Sequence, residues 1–222
     1  MSEKEKSVSK VGNDVEEKKS LFFKIMETTL EQAIEGIGKG KVASCKELAE
    51  EYLERSNGDK KTAARKMANV QMAKSAMSGF LTNLGGLITL PIAIPADLSA
   101  VWFIQLRMIA AIAVMAGLNP KKDEVKTHCY ACLLGQGGNE IIKRAGVEFS
   151  KRGGYIMVGK IPAATLRAIN QKIGIKLFTK FGEKGIINIG KGVPLIGGAV
   201  GGTFDFVSTA IIANTAIKKF LN

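Results

Sequence analysis

The chain has 222 residues, enough for one large domain or two small ones, and its 46% apolar content is ordinary for a packed globular domain. Three cysteines (Cys45, Cys129 and Cys132) are too few, and odd in number, for a disulfide framework; they fit a reducing compartment. The net charge of +12 is uneven: from Ile142 onward thirteen Lys/Arg face three acids, while everything before is nearly neutral. A basic half of this kind suits a phospholipid surface, nucleic acid or an acidic protein, set against the plainer reading of a solvated lysine face.

Residues 1–20 are polar and charged without an apolar period. They read as a mobile tail with no secretory signal, which makes a cytoplasmic location the default. A helix is expected over 21–37, with Phe22, Ile25, Met26, Thr29, Leu30 and Ala33 on one face. Ser44 and Glu47 have capping-box spacing and should open a second helix that stops at Asn57-Gly58. A third helix should run from near Asp59 to about Leu84. Gly85-Gly86, Pro91 and Pro95 then break the chain, since proline has no N–H to donate and clashes with the preceding turn. Asp97 is suited to cap a helix from Leu98 to Ala116, which Gly117 and Pro120 end.

Further helices are expected over 121–134, over 139–151 after a Gly135–Gly138 loop, and over 162–181. In the last of these Leu166, Ile169, Ile173 and Leu177 make a buried stripe. Lys172, Lys176 and Lys180, at i, i+4 and i+8, make a basic one. Together with Arg167 these lysines are the candidate residues for an anionic surface. A glycine-rich turn over 185–202 precedes a closing helix from Thr203 to Leu221. No alternating pattern is long enough to announce a strand, so the fold class is all-α: a single compact helical bundle with a Gly/Pro-broken apolar central hairpin.

That central segment is the main ambiguity. Between Lys74 and Lys121 lie 46 residues, of which only Asp97 and Arg107 carry charge. Such a stretch belongs either in the middle of a core or in lipid. A transmembrane helix needs about 20 continuous apolar residues. Every candidate span here is broken by Gly/Pro or by a charge, including Arg107 and Asp205. The bundle-core reading therefore leads, with a form that lies in the membrane as its rival.

Asp97, Gln105, Arg107 and Asp205 are polar groups on otherwise apolar helices. Buried charge must be paired, so Arg107 should face Asp97 or Asp205. With Asn170 these residues form a candidate buried polar site, for a small-molecule binder or an enzyme; the plainer reading is an internal ion pair plus an N-cap. No motif fixes a reaction, and no cofactor or metal is implied. Gly185, Gly190 and Lys191 sit at phosphate-loop spacing, but Gly192 replaces the hydroxyl residue that would bind magnesium. His128, Cys129 and Cys132 are three possible zinc ligands where a structural site wants four, and neighbours in a helix point about 100° apart. The basic half lacks the interleaved aromatics of a nucleic-acid surface. Gly197, Gly198, Gly201 and Gly202 form overlapping GxxxG pairs, which allow close helix packing against residues 79–86.

Several blocks together resemble the EcsC family of bacterial proteins. They are Ser44-x-x-Glu47-Leu48-Ala49-x-x-Tyr52-Leu53; Gly85-Gly86-Leu87 with Leu90-Pro91 and Ile94-Pro95-Ala96-Asp97; Gln105-Leu106-Arg107-Met108; Ile169-Asn170 with Gly174; and Pro194-Leu195-Ile196-Gly197-Gly198 leading to Asp205 and Thr209. The resemblance covers 21–222 as one helical domain. It carries no catalytic residue set. It implies a membrane-linked accessory role, since the family is named from a gene beside an ABC transporter. The expected partners are an anionic membrane surface or a membrane protein, at the inner membrane face.

Overall fold

A computed structural model describes residues 3–38, 41–76, 96–146, 149–152, 155–158, 161–182 and 198–222. The elements are α1 (Glu3–Glu35), α2 (Cys45–Glu54), α3 (Lys60–Ala76), α4 (Ala96–Met115), α5 (Asp123–Leu134), α6 (Gln136–Arg144), strands β1 (Phe149–Arg152) and β2 (Tyr155–Val158), α7 (Ala163–Leu177) running into a π-helical turn (Phe178–Gly182), and α8 (Gly198–Phe220). The fold is all-α, with one short hairpin.

The apolar composition of α4 dictates its position. A helix that is hydrophobic all round has no face to give to water, so it is covered on every side. Residues 100–113 are all buried, and α4 packs against α1, α2, α3, α5 and α8. Each fully buried Ile, Leu, Met or Phe here contributes about 2 kcal/mol of transfer free energy. An aromatic cluster ties the ends together: the Phe22 ring meets Trp102 and Phe178 edge-on, each at 5.5 Å. Among the described residues no helix is long and apolar enough to cross a membrane. The Gly85–Pro95 break lies outside the described residues.

Local signals set most helix ends. Ser44 Oγ accepts the Glu47 amide at 3.2 Å, and the Glu47 carboxylate accepts the Ser44 amide at 2.7 Å. These bonds hold the Glu47 carboxyl below its ordinary range. Asp59 accepts the Thr62 amide at 2.6 Å ahead of α3. Gly117 closes α4 at φ +87°, with Leu118 N–H bonded to Ala113 O at 3.0 Å. The apolar stripe of Leu166, Ile169, Ile173 and Leu177 on α7 is buried.

Elsewhere the structure differs from the sequence expectation. The polar segment expected as a tail is helical from Glu3 and continuous with the apolar part of α1, because Lys and Glu are good helix formers and extending a helix is easier than starting one. Asp97 lies inside the first turn of α4 instead of capping it. Only Gly135 (φ +71°) turns the chain between α5 and α6. Gly138 is already helical there, and a Cβ on it would overlap the Ala131 backbone. The helix expected as far as 151 ends at Arg144 and gives way to antiparallel β1 and β2, paired Phe149 with Val158 through Arg152 with Tyr155. Tyr, Ile, Val and Phe favour strands. α8 starts at Gly198, inside the glycine-rich stretch.

Candidate functional site

Four of the five residues of the candidate polar site fall into three places; the side chain of the fifth, Asp97, lies outside the described residues. Gln105, 2% exposed, sits in the middle of α4 facing α8. Its Nε2 donates to Thr209 Oγ1 at 3.1 Å and to Ser208 Oγ at 3.3 Å. Thr209 in turn donates to Ser75 Oγ at 3.1 Å. Ser75 Oγ lies 2.8 Å from Met72 O and 3.3 Å from Asp205 O, and Ser208 Oγ is 3.1 Å from the same Asp205 carbonyl. Polar groups at such depth persist when they are mutually bonded, and this network joins α3, α4 and α8. Asp205 enters it through its backbone. It also lines a cleft of about 240 Å³ with Trp102, Gln105, Lys180, Val207 and Ile211. Gln105 and Asp205 are therefore together.

Arg107 is not with them. Two residues along a helix turn the side chain by about 200°, and Arg107 faces α2. At 5% exposure its Nη1 donates to Ala43 O at 3.1 Å, and its guanidinium lies 5.3 Å from the centre of the Phe103 ring. Burial lowers its pKa, opposed by Cys45, Glu51 and Tyr52. The expected pairing with Asp205 does not occur. Asp97 stands ten residues earlier on the same helix, about 15 Å away along the axis, and its side chain lies outside the described residues. A carbonyl dipole and an aromatic face thus stand where a carboxylate was expected, and the buried Arg107 Nε has no hydrogen-bond partner among the described residues. Cys45, beside this group, is pushed up to about 12 by burial and by Glu35.

Asn170 lies on α7, facing α1 and α5, where it lines a cleft with Glu27, Glu31, Asp123, Lys126, Tyr130 and Arg167. Arg167 is thus separate from the lysine stripe. Lys172 and Lys176 rim a cleft of about 460 Å³ between α6 and α7, joined there by Arg144, which sequence reasoning did not single out. Ile175, beside Lys176, is 38% exposed. Lys180 reaches the α8 cleft instead, and its pKa is lowered by burial. On the same cleft Val207 and Ile211 are 50% and 54% exposed.

His128, Cys129 and Cys132 are all buried within α5. Burial, then the charge of Lys219, push the His128 pKa down to about 3, so the ring is neutral near pH 7. Burial also pushes the Cys132 thiol up to about 12 and the Cys129 thiol well above its ordinary value, so both stay protonated and unreactive. Among the described residues no three His, Cys, Asp or Glu side chains are grouped to hold a metal. The Gly185–Gly192 motif and Gly197 lie outside the described residues. Ser75 and Ser208 were missed from the sequence, because a single serine in a helix carries no local sign of a partner more than 100 positions away. Comparison with protein-family models, with curated proteins and with solved structures finds no match to this chain.

Proposed function

We propose that this protein is a non-enzymatic, membrane-associated helical accessory protein that docks peripherally on anionic lipid. The observation that carries the reading is the cleft between α6 and α7. Its floor is apolar, from Ile141, Ala145, Ala168, Ile169 and Ile175, and Arg144, Lys172 and Lys176 stand on its rim. None of the three cations has an ion-pair partner among the described residues. An anionic bilayer offers both complements, phosphate oxygens for the cations and acyl chains for exposed Ile175. The basic half of the chain and the resemblance to the EcsC family support the same reading. That resemblance also favours a setting at the inner face of the membrane beside a transporter or another membrane protein.

The test is co-sedimentation of the full chain with phosphatidylglycerol/phosphatidylcholine vesicles and with phosphatidylcholine alone, at low and high salt. Binding is expected only to the anionic vesicles, and weaker at high salt. Lys172→Ala with Lys176→Ala should lower the partition coefficient about thirtyfold, at about 1 kcal/mol for each basic residue. Failure of the wild-type chain to sediment with anionic vesicles at low salt would end this reading.

A further inference from the structure

Exposed apolar surface is gathered on α8. Among the described residues five large apolar side chains are exposed, and three of them, Phe206, Val207 and Ile211, lie close together on this helix. A fourth, Ile175, stands in the basic cleft between α6 and α7. Val207 and Ile211 are four positions apart, so they share a face of α8, and each is about half-exposed. They border the cleft of about 240 Å³ whose wall includes Val101, Trp102 and Leu133. Single exposed apolar residues are ordinary, whereas a cluster of them beside an apolar cleft marks an interaction site.

The same elements carry this apolar face and the basic cleft side by side. Lys172 and Lys176 of α7 rim the basic cleft, and Lys180, one turn further in the π-helical segment, lines the α8 cleft. On the opposite side Gly135 lines the α8 cleft, and Ile141, about 9 Å further along the chain, lines the basic one. Lys219 Nζ donates to Asn139 Oδ1 at 3.0 Å and ties α8 to α6, so the fold sets the spacing of the two faces. Lys180 and Asp205 both line the α8 cleft and offset each other in sign, so this face adds apolar contact and no net charge. The adjoining cleft is lined by three cations and no acid. A second copy seated on α8 would bring like-charged clefts of two chains, each at +12, toward one another. A phosphate layer above acyl chains complements both faces at once.

We infer that Val207 and Ile211 of α8 enter the acyl region of the anionic bilayer on which the basic cleft docks. This rests on the docking reading and adds an insertion surface to it. The cations Arg144, Lys172 and Lys176 meet phosphate, and α8 supplies apolar burial beside them. Salt screens the first contribution and leaves the second.

The test places a polarity-sensitive maleimide dye on the full chain carrying Ile211→Cys. Cys45, Cys129 and Cys132 are buried, so the introduced thiol takes the label. With phosphatidylglycerol/phosphatidylcholine vesicles the emission should shift to the blue and be quenched by acyl-brominated lipid; phosphatidylcholine alone should do neither. The same dye on Glu54→Cys, at an exposed position of α2, should not respond. Val207→Ser with Ile211→Ser should lower the partition coefficient onto anionic vesicles about tenfold. Its salt dependence should keep the parent slope, because no charge is removed, and its thermal midpoint should stay close to the parent's. A chain that sediments with anionic vesicles while the label at 211 stays unshifted, or a double variant that partitions like the parent, would overturn the insertion and leave docking standing. No sedimentation at low salt would overturn both. A blue shift that follows protein concentration without vesicles would assign the face to a second copy and overturn the insertion as well.

Discussion

Gln105 and Asn170 are both side-chain amides set among apolar neighbours, and the structure treats them in opposite ways. Around Gln105 the hydroxyls of Ser208, Thr209 and Ser75 close a chain of bonds that ends on backbone carbonyls. Around Asn170, whose side chain borders a cleft, the buried oxygen meets no donor among the described residues. A closed network holds helices together, whereas a buried oxygen without a donor holds nothing and costs its desolvation. The comparison assigns a holding role to the first region and none to the second, and it can be broken by substitution.

The largest effect is expected from Thr209→Val, which keeps the shape and removes the hydroxyl linking Gln105 to Ser75. Stability should fall by about 2 kcal/mol, seen as a lower urea midpoint with an unchanged slope. A loss of only a few tenths would show that the network does not hold α3, α4 and α8 together. Acid sensitivity tests a different buried group on the structural side. Folded His128 binds its proton only near pH 3, beside Lys219, whereas an unfolded histidine does so near 6.5. The unfolded state therefore binds more protons in that window, and stability should drop as pH falls from about 6.5 toward 3, by roughly 1 kcal/mol per pH unit. His128→Leu should show a shallower acid slope in the same pH series.

Gln71 sharpens the contrast from within the core. It lies one turn before Ser75, is fully buried, and neither side-chain amide atom has a partner among the described residues. Gln71→Met should raise stability by about 1 kcal/mol, where Thr209→Val lowers it; equal losses from the two would erase the distinction. The smallest effect belongs to Asn170→Leu, which should leave the urea midpoint within about 0.5 kcal/mol of the parent chain. A larger loss would move Asn170 to the structural side.

Much of the local architecture was legible because its causes are local. The Ser44/Glu47 capping box, the stop at Gly117 and the buried stripe of α7 each depend on residues within a few positions of one another. The hairpin was hidden because each strand has only four residues, too few to show a period. The site was legible only in part. That Gln105 and Arg107 needed partners followed from their apolar surroundings, but Thr209 and Ala43 lie 104 and 64 positions away.

The sequence by itself determined which residues would be buried, where most helices begin and end, and where the cations concentrate. Those follow from periodicity, capping and charge. Only the tertiary structure decided that Gln105 meets hydroxyls, that Arg107 meets a carbonyl and a ring, and that Asn170 meets neither. Helical spacing tells which side chains share a face, but which helix covers that face depends on how the whole chain packs around α4.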